Sequence, residues 1–202
     1  MDPVKAAIIY YSSTGTVHAL AQAVAEGAEK SGARVRLRKV PELAPASAIE
    51  SNPAWAEYVR ESSEVTEARL DDLAWAEVVI FGTPTRFGTP ASQLKAFIDS
   101  AGPLWQQGTL AGKVYTAFTA TGSPHGGAES TLLAMSHTFY HWGGIMVPPG
   151  YTDPIQMQAG NPYGTSHVSA EGPPDELALG AARYQARRAV DIAALIKAGR
   201  AA

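Results

Sequence analysis

The chain has 202 residues, of which 46% are hydrophobic and 17% charged, a composition typical of a globular protein with a sizeable core rather than of a disordered one. The formal net charge is -3 and no Lys/Arg cluster interrupts it, which argues against nucleic-acid binding. Cysteine is absent, so disulfides, thiol catalysis and Cys-ligated zinc are excluded.

The beginning of the chain has no charged segment followed by a long apolar run, and no apolar stretch reaches membrane length. We therefore expect a cytoplasmic protein without a membrane span. The length suits one domain, so we interpret residues 1–202 as a single unit.

Hydrophobic periodicity predicts alternating strands and helices in the first part of the chain. Val4–Tyr10 is an apolar run typical of a strand buried on both faces, and Val17–Ala28 follows with apolar residues at helical spacing. Arg34–Val40 alternates polar and apolar residues, as a half-exposed edge strand does. Residues 41–69 contain three prolines and no strand pattern, and we interpret them as an insertion with a short helix around Trp55–Ser62.

The same alternation continues to the end of the chain. The predicted strands are Val78–Gly82, Val114–Thr119 and Ile145–Val147, and the predicted helices are Ala91–Ser100, Ala128–Trp142 and Leu177–Ile196. We predict a long loop over Gly150–Pro174. Strands that alternate with helices indicate an α/β fold with a doubly wound parallel sheet, in which ligands bind at the carboxyl ends of the strands.

The loop after the first strand is the strongest functional signal. The apolar run stops at Ser12-Ser13-Thr14-Gly15-Thr16-Val17, where a helix begins, and a helix N-terminus is a ready-made phosphate site. Because the loop has no Lys or Arg, backbone N–H groups, hydroxyls and the helix dipole would have to hold the phosphate. Neither a Walker A sequence nor a G-x-G-x-x-G fingerprint is present. The alternative is that Ser13 and Thr14 only cap the helix.

Two further loops at strand ends have unusual compositions. Gly82-Thr83-Pro84-Thr85-Arg86-Phe87-Gly88 joins a proline turn to one cation and one aromatic, and such a loop can lie along the edge of a flat heterocycle. Ala120–Gly127 contains three glycines, so its backbone can approach a ligand closely. Each loop alone is also consistent with an ordinary turn. Because parallel strands share one carboxyl edge, we expect all three loops to form one site.

In combination, these loops resemble those of the flavodoxin-like NAD(P)H:quinone oxidoreductases of the WrbA type. Other matching segments are Gly102-Pro103-Leu104-Trp105, Leu110-Ala111-Gly112-Lys113, Val147-Pro148-Pro149-Gly150-Tyr151, Pro162-Tyr163-Gly164 and Ala182-Arg183-Tyr184-Gln185. The resemblance runs from about Val4 to Ile196 and includes the insertion after strand 2. It implies a flavodoxin-like, five-stranded parallel sheet of order 2-1-3-4-5 with helices on both faces.

The resemblance also implies FMN as the cofactor, NADH or NADPH as co-substrate, and a two-electron, ping-pong reduction of quinones to hydroquinones. The residues implied to bind FMN are Ser12, Ser13, Thr14, Gly15, Thr16, Val17, Pro84, Thr85, Arg86, Phe87, Gly88, Thr119, Ala120, Thr121, Gly122, Ser123 and His141. No side chain is expected to act as a catalytic nucleophile, and Arg86 and His141 are candidates for electrostatic support. Trp105 corresponds to a tryptophan of the family's substrate pocket, which forms between subunits and implies a homodimer or homotetramer.

Two positions depart from the family pattern. Thr14 replaces a tyrosine that the family associates with nicotinamide-nucleotide binding, which leaves the preference between NADH and NADPH open. Ser123-Pro124-His125 interrupts a glycine stretch at the rim of the pocket. The sequence does not specify the physiological quinone or the balance between dimer and tetramer.

Other functions find less support in the sequence. The main alternative is a flavodoxin that passes single electrons to protein partners, but the weak net charge and Trp105 argue against it. A regulator of a DNA-binding protein finds no support in the composition. His137 and His141 are four residues apart on a predicted helix, yet no third ligand is apparent and we expect no metal site. A serine hydrolase is excluded because G-x-S-x-G is absent.

Overall fold

The computed structural model describes residues 2–201, and its centre is a parallel sheet. Its five main strands are β1 (Lys5–Tyr10), β2 (Arg34–Lys39), β3 (Val78–Arg86), β5 (Val114–Thr121) and β6 (Ile145–Met146), and two short strands, β4 (Thr89–Pro90) and β7 (Ser166–Val168), join them. The main strands pair in the order β2-β1-β3-β5-β6, all parallel. Numbered among themselves, they have the order 2-1-3-4-5, which confirms the predicted flavodoxin-like sheet.

Helices cover both faces of this sheet. They are α1 (Thr16–Lys30), α2 (Ala46–Glu50), α3 (Pro53–Glu61), α4 (Leu70–Trp75), α5 (Ser92–Ser100), α6 (Gly102–Gln106), α7 (Ala128–His141), α8 (Pro154–Ala159) and α9 (Glu176–Ala201). Alternate residues of β1 point to opposite faces, so Ile8 packs in one apolar core with α1 and α9 while Ile9 packs in the other with α4, α5 and α7. Within residues 2–201, no helix is both long and apolar enough to cross a membrane.

Several stretches differ from the prediction. The region Gly150–Pro174 is not one long loop, because it contains α8, β7 and a short 3-10 turn. Residues 83–86 and 120–121, predicted as loop, continue β3 and β5 as strand. The short helices α2, α4 and α6 have only five or six residues, too few for a periodic pattern to reveal. The predicted helix of the insertion is confirmed as α3.

The fifth position of the sheet is shared by two short strands. β6 pairs with the start of β5 and β7 with its end, so residues 116–118 of β5 have no strand beside them on this edge. The buried side chain of Gln185, from α9, fills the gap. Its Nε2 donates to the Ala117 carbonyl (2.8 Å) and the Thr116 hydroxyl (2.7 Å), while its Oε1 accepts from the Thr165 N–H (2.7 Å). One side-chain amide thus replaces hydrogen bonds that a continuous strand would make.

The insertion packs against the sheet directly behind the loop that follows β1. Tyr58 of α3 donates to the Tyr10 hydroxyl (3.4 Å), which is also hydrogen-bonded to Nδ1 of His18 in the first turn of α1. The His18 ring lies between the two tyrosines, with centroid distances of 5.4 and 5.7 Å. Burial, and then the positive charge of Lys39, lower the pKa of His18 below its usual value. The cluster therefore packs best with a neutral imidazole.

We expect Gln185→Ala to lower the free energy of unfolding by about 2 to 4 kcal/mol, because it leaves a buried N–H and a buried carbonyl without partners. Urea denaturation of the variant beside the wild type measures the loss. Gln158→Ala, at an exposed glutamine of α8, is the matched control and should change little. A loss no larger than that of the control would contradict the role assigned to Gln185.

The lowered pKa of His18 makes stability pH-dependent. Since the unfolded chain binds the proton more readily, the stabilisation is complete above about pH 6.5 and is lost as the pH falls through the folded-state pKa. We expect the wild type to lose more unfolding free energy than His18→Asn between about pH 8 and about pH 5.5. Denaturation curves at both pH values provide the test. Parallel losses in the two proteins would show that His18 is not the titrating group.

Candidate functional site

The loop after β1 ends in a helix N-terminus that no side chain of the described residues caps. Gly15 occupies the N-cap position with a φ of +92°, a left-handed conformation that favours glycine. Its own N–H donates to the Ser12 hydroxyl (3.1 Å), which tightens the loop. The interpretation that Ser13 and Thr14 cap the helix is wrong, since neither accepts from its first turn. The N–H groups of that turn are thus available to an anion.

Arg86 links this loop to the end of β3. Its Nη2 donates to the Ser13 hydroxyl (3.2 Å) and its Nη1 to the Thr85 carbonyl (3.1 Å). The first loop has no cation of its own, so the neighbouring strand brings one to it. An anion at the N-terminus of α1 would meet both the helix dipole and this guanidinium.

The chain turns sharply after Arg86 in a hairpin between β3 and β4. Arg86 pairs with Thr89, and both residues of the turn, Phe87 and Gly88, have positive φ values of +51° and +76°. A phenylalanine in this conformation is strained by about 1 kcal/mol or more, and its ring is fully exposed. Strain and exposure together make Phe87 a candidate contact for a ligand or a partner.

The third loop leaves β5 beside the hairpin. Thr119 and Ala120 pair with Thr83 and Pro84, so β3 and β5 run side by side to the edge of the sheet. The Thr85 and Thr119 hydroxyls are 3.2 Å apart. Beyond them, the Thr121 hydroxyl donates to the Ser123 carbonyl (2.8 Å), which leaves Gly122 and Ser123 exposed at the tip.

These contacts bring together the predicted site residues of segments 12–17, 84–88 and 119–123. Trp105 and His141 lie elsewhere in the chain. α7 begins at the third loop and its 14 residues run about 20 Å toward the opposite edge of the sheet, where His141 ends it. Trp105 lies beside it and donates from Nε1 to the His141 carbonyl (2.9 Å). The two residues line a cleft of about 500 Å³ that is separate from the three loops of the same chain.

Sequence reasoning missed Glu42, which ties the insertion to the site. Its carboxylate accepts from the Tyr11 hydroxyl (2.8 Å), Gln93 Nε2 (2.7 Å) and Trp55 Nε1 (3.0 Å), and from two backbone N–H groups. Burial alone would raise the pKa of Glu42, but the hydrogen bonds outweigh it and hold this pKa below its usual range. Tyr11 adjoins the first loop and Gln93 lies in α5, just after the hairpin. No local pattern marks this glutamate, because its partners lie on distant segments.

The three loops fit a flat heterocycle with a terminal phosphate, as FMN has. The uncapped N-terminus of α1 and Arg86 suit the phosphate, while the hairpin and the third loop form two edges of one opening. A side chain at Gly127, where α7 begins, would place its Cβ 2.9 Å from Gly88 Cα, so the hairpin lies directly against the start of α7. The second and third loops are therefore in contact where α7 begins.

Comparisons with known proteins agree with this geometry. The family model described as NADPH-dependent FMN reductase matches residues 4–154. A protein named NAD(P)H dehydrogenase (quinone) from Deinococcus radiodurans is 46% identical over 197 residues, covering 95% of this chain and 96% of that protein. A protein of the same name from Geotalea uraniireducens is 41% identical, covering 94% and 98%.

Comparison with solved structures also indicates a flavodoxin-like fold. The flavodoxin, WrbA-like protein from Agrobacterium tumefaciens superposes with a TM-score of 0.70 at 25% identity, covering 95% of this chain and 98% of that one. An archaeal flavodoxin, at 19% identity and a TM-score of 0.62, shares the fold. The chain belongs to the NADPH-dependent FMN reductase family, among the flavodoxin-like NAD(P)H:quinone oxidoreductases of the WrbA type.

Proposed function

We propose that this chain is an FMN-dependent enzyme that reduces quinones to hydroquinones with NADH or NADPH. The proposal rests on one observation: three loops that could each contact a ligand lie in contact with one another at one edge of the sheet. The Ser13–Arg86 contact joins the first loop to the second, and the Thr85–Thr119 contact joins the second to the third. The names of the relatives, NAD(P)H dehydrogenase (quinone), support the same reaction.

FMN, when bound, would supply the redox chemistry, namely hydride transfer from the nicotinamide and two-electron reduction of the quinone. The residues of the chain bind the FMN and orient it. The first turn of α1 and the hydroxyls of the first loop hold the phosphate, and the hairpin with Thr85, Arg86 and Phe87 flanks the ring system. Backbone donors of the third loop would face the negative charge that develops on the ring system on reduction, while the Arg86 guanidinium, hydrogen-bonded to Ser13, would lie beside the phosphate. Donor and quinone occupy the same space over the ring in turn, which predicts ping-pong kinetics.

We further propose that a second copy of the chain completes the substrate pocket with Trp105 and His141. Both lie too far from the loops of their own chain to take part there. The surface around them suits an interface between copies, because α7 exposes Leu133 and Tyr140 on one outer face and Trp105 is 55% exposed beside its end. A homodimer or homotetramer would bring this end of one chain to the loops of another.

The direct test is to add FMN to the purified protein. We expect FMN fluorescence to be quenched at lower concentrations than riboflavin fluorescence, because riboflavin lacks the phosphate. Bound FMN should bleach with NADH or NADPH and recover with benzoquinone, and initial rates at several quinone concentrations should give parallel double-reciprocal lines. A protein that binds FMN but passes electrons only to protein partners would instead be a one-electron flavodoxin.

The shared pocket can be tested with hybrid oligomers. Trp105→Ala should weaken quinone reduction while FMN binding persists, and Gly15→Asp should prevent FMN binding by placing a charged side chain in the phosphate loop. When the two variants are co-expressed, we expect part of the activity to return. Sites that combine intact loops from one copy with Trp105 from another explain such a return. If Trp105 serves the loops of its own chain, no hybrid site is intact and activity stays low.

A further inference from the structure

A chain of buried hydroxyl groups lies beneath the hairpin. It joins three elements: Thr131 of α7, Thr85 of β3 and Thr119 of β5. The Thr131 hydroxyl donates to Thr85 Oγ1 (3.1 Å), Thr85 and Thr119 are 3.2 Å apart, and Thr119 donates to the Thr83 carbonyl (2.7 Å). Thr131 and Thr119 are fully buried and Thr85 is half-buried. None of the predictions from sequence included Thr131.

The hydroxyl protons of Thr131, Thr85 and Thr119 can be arranged in only one direction. Each threonine hydroxyl has one proton, and a carbonyl oxygen only accepts, so the proton of Thr119 goes to Thr83. Thr131 gives its proton to Thr85, the one partner its hydroxyl has among the described residues. The proton of Thr85 must then lie between Thr85 and Thr119. The Thr85 hydroxyl therefore donates to Thr119. Toward a ligand, its oxygen can act as a hydrogen-bond acceptor but not as a donor.

We propose that Thr131 is a positioning residue that sets the reduction potential of the bound flavin through Thr85. This inference rests on the proposed function, since it takes FMN as the ligand beside Thr85. Thr131 has no exposed surface and therefore acts through the Thr85 hydroxyl rather than by contact with the ligand. The hydrogen bond from Thr131 polarises Thr85 toward Thr119, because hydrogen bonds in a chain strengthen one another.

The start of α7 is well placed for this role. A Cβ on Gly127 would lie 2.9 Å from Gly88 Cα, and one on Gly88 would lie 2.8 Å from the Ser130 hydroxyl oxygen. The first turn of α7 and the tip of the hairpin are thus in close contact next to Thr131. These contacts hold the backbone of α7 and of the hairpin in place. Loss of the Thr131 hydroxyl should therefore change the direction of the Thr85 proton rather than the position of the hairpin.

Thr131→Val keeps the shape of the side chain and removes its proton. Without the donated hydrogen bond, the Thr85–Thr119 hydrogen bond loses the strengthening that Thr131 gives it. The Thr85 hydroxyl is then freer to turn away from Thr119 and donate to the flavin, and a donor stabilises the electron-rich reduced form more than the oxidised form. We expect the midpoint potential of bound FMN to rise. The ratio of affinities for reduced and oxidised FMN should increase about fivefold, the usual value of one hydrogen bond, or about 20 mV for a two-electron couple.

The test is a redox titration of the FMN-loaded wild type and variants, with FMN affinity and the melting temperature of the apoprotein measured alongside. Thr131→Ser retains the hydroxyl and should keep the wild-type potential. Thr116→Val removes another buried hydroxyl of β5, one that lies beside Gln185 rather than beneath the hairpin, and is the matched control. Should Thr131→Val not fold, Thr131→Ala removes the same proton without a branched side chain.

The outcomes separate this inference from the proposed function. A raised potential in Thr131→Val, restored in Thr131→Ser and absent in Thr116→Val, supports the positioning role. An unchanged potential with lower melting temperature and weaker FMN binding means that Thr131 is merely structural and overturns the inference, while the proposed function stands. A wild type that binds no FMN overturns both.

Discussion

The pairing of β3 with β5 is the constraint on which the candidate site depends. The two strands pair from Val78 and Val114 to Pro84 and Ala120, two positions beyond the last pair of β1 with β3. The second and third loops therefore leave the sheet from adjacent strands joined by hydrogen bonds, and the first loop leaves one strand away. Threonine hydroxyls continue this connection where the backbone ladder ends. A rigid sheet edge thus sets the spacing of three loops that have little regular structure of their own.

Two polar side chains, the buried Gln185 and the half-buried Glu42, support this arrangement where the backbone is irregular. Gln185 satisfies β5 where the neighbouring strand is interrupted, and Glu42 gathers donors from the insertion, from the residue after β1 and from α5. Gln185 takes the place of a missing strand partner, and Glu42 accepts from three side chains and two backbone N–H groups, since buried polar groups without partners are costly.

The sequence predicts the sheet and the three loops well because both depend on local patterns. Apolar runs identify β1, β3 and β5, and the residues that stop them mark the carboxyl edge. Periodicity misses β7, whose three residues form a strand only because β5 lies beside them. It also cannot show that the Arg86 side chain reaches Ser13, since that direction depends on the turn at Phe87. The resemblance predicts a site role for His141, but it could not predict that His141 lies at the far end of α7 from the three loops of its own chain.

α7 extends from the three loops to the cleft that Trp105 and His141 line. Its first turn lies against the hairpin through Gly127 and Thr131, and its last residue, His141, lies about 20 Å away beside Trp105. Because a helix is stiff, the length of α7 fixes the distance between the loops of a chain and its own His141. In the proposed assembly, the end of α7 that carries His141 would face the loops of another copy. If both proposals hold, α7 orients the Thr85 hydroxyl in the site of its own chain and carries His141 to the site of another copy.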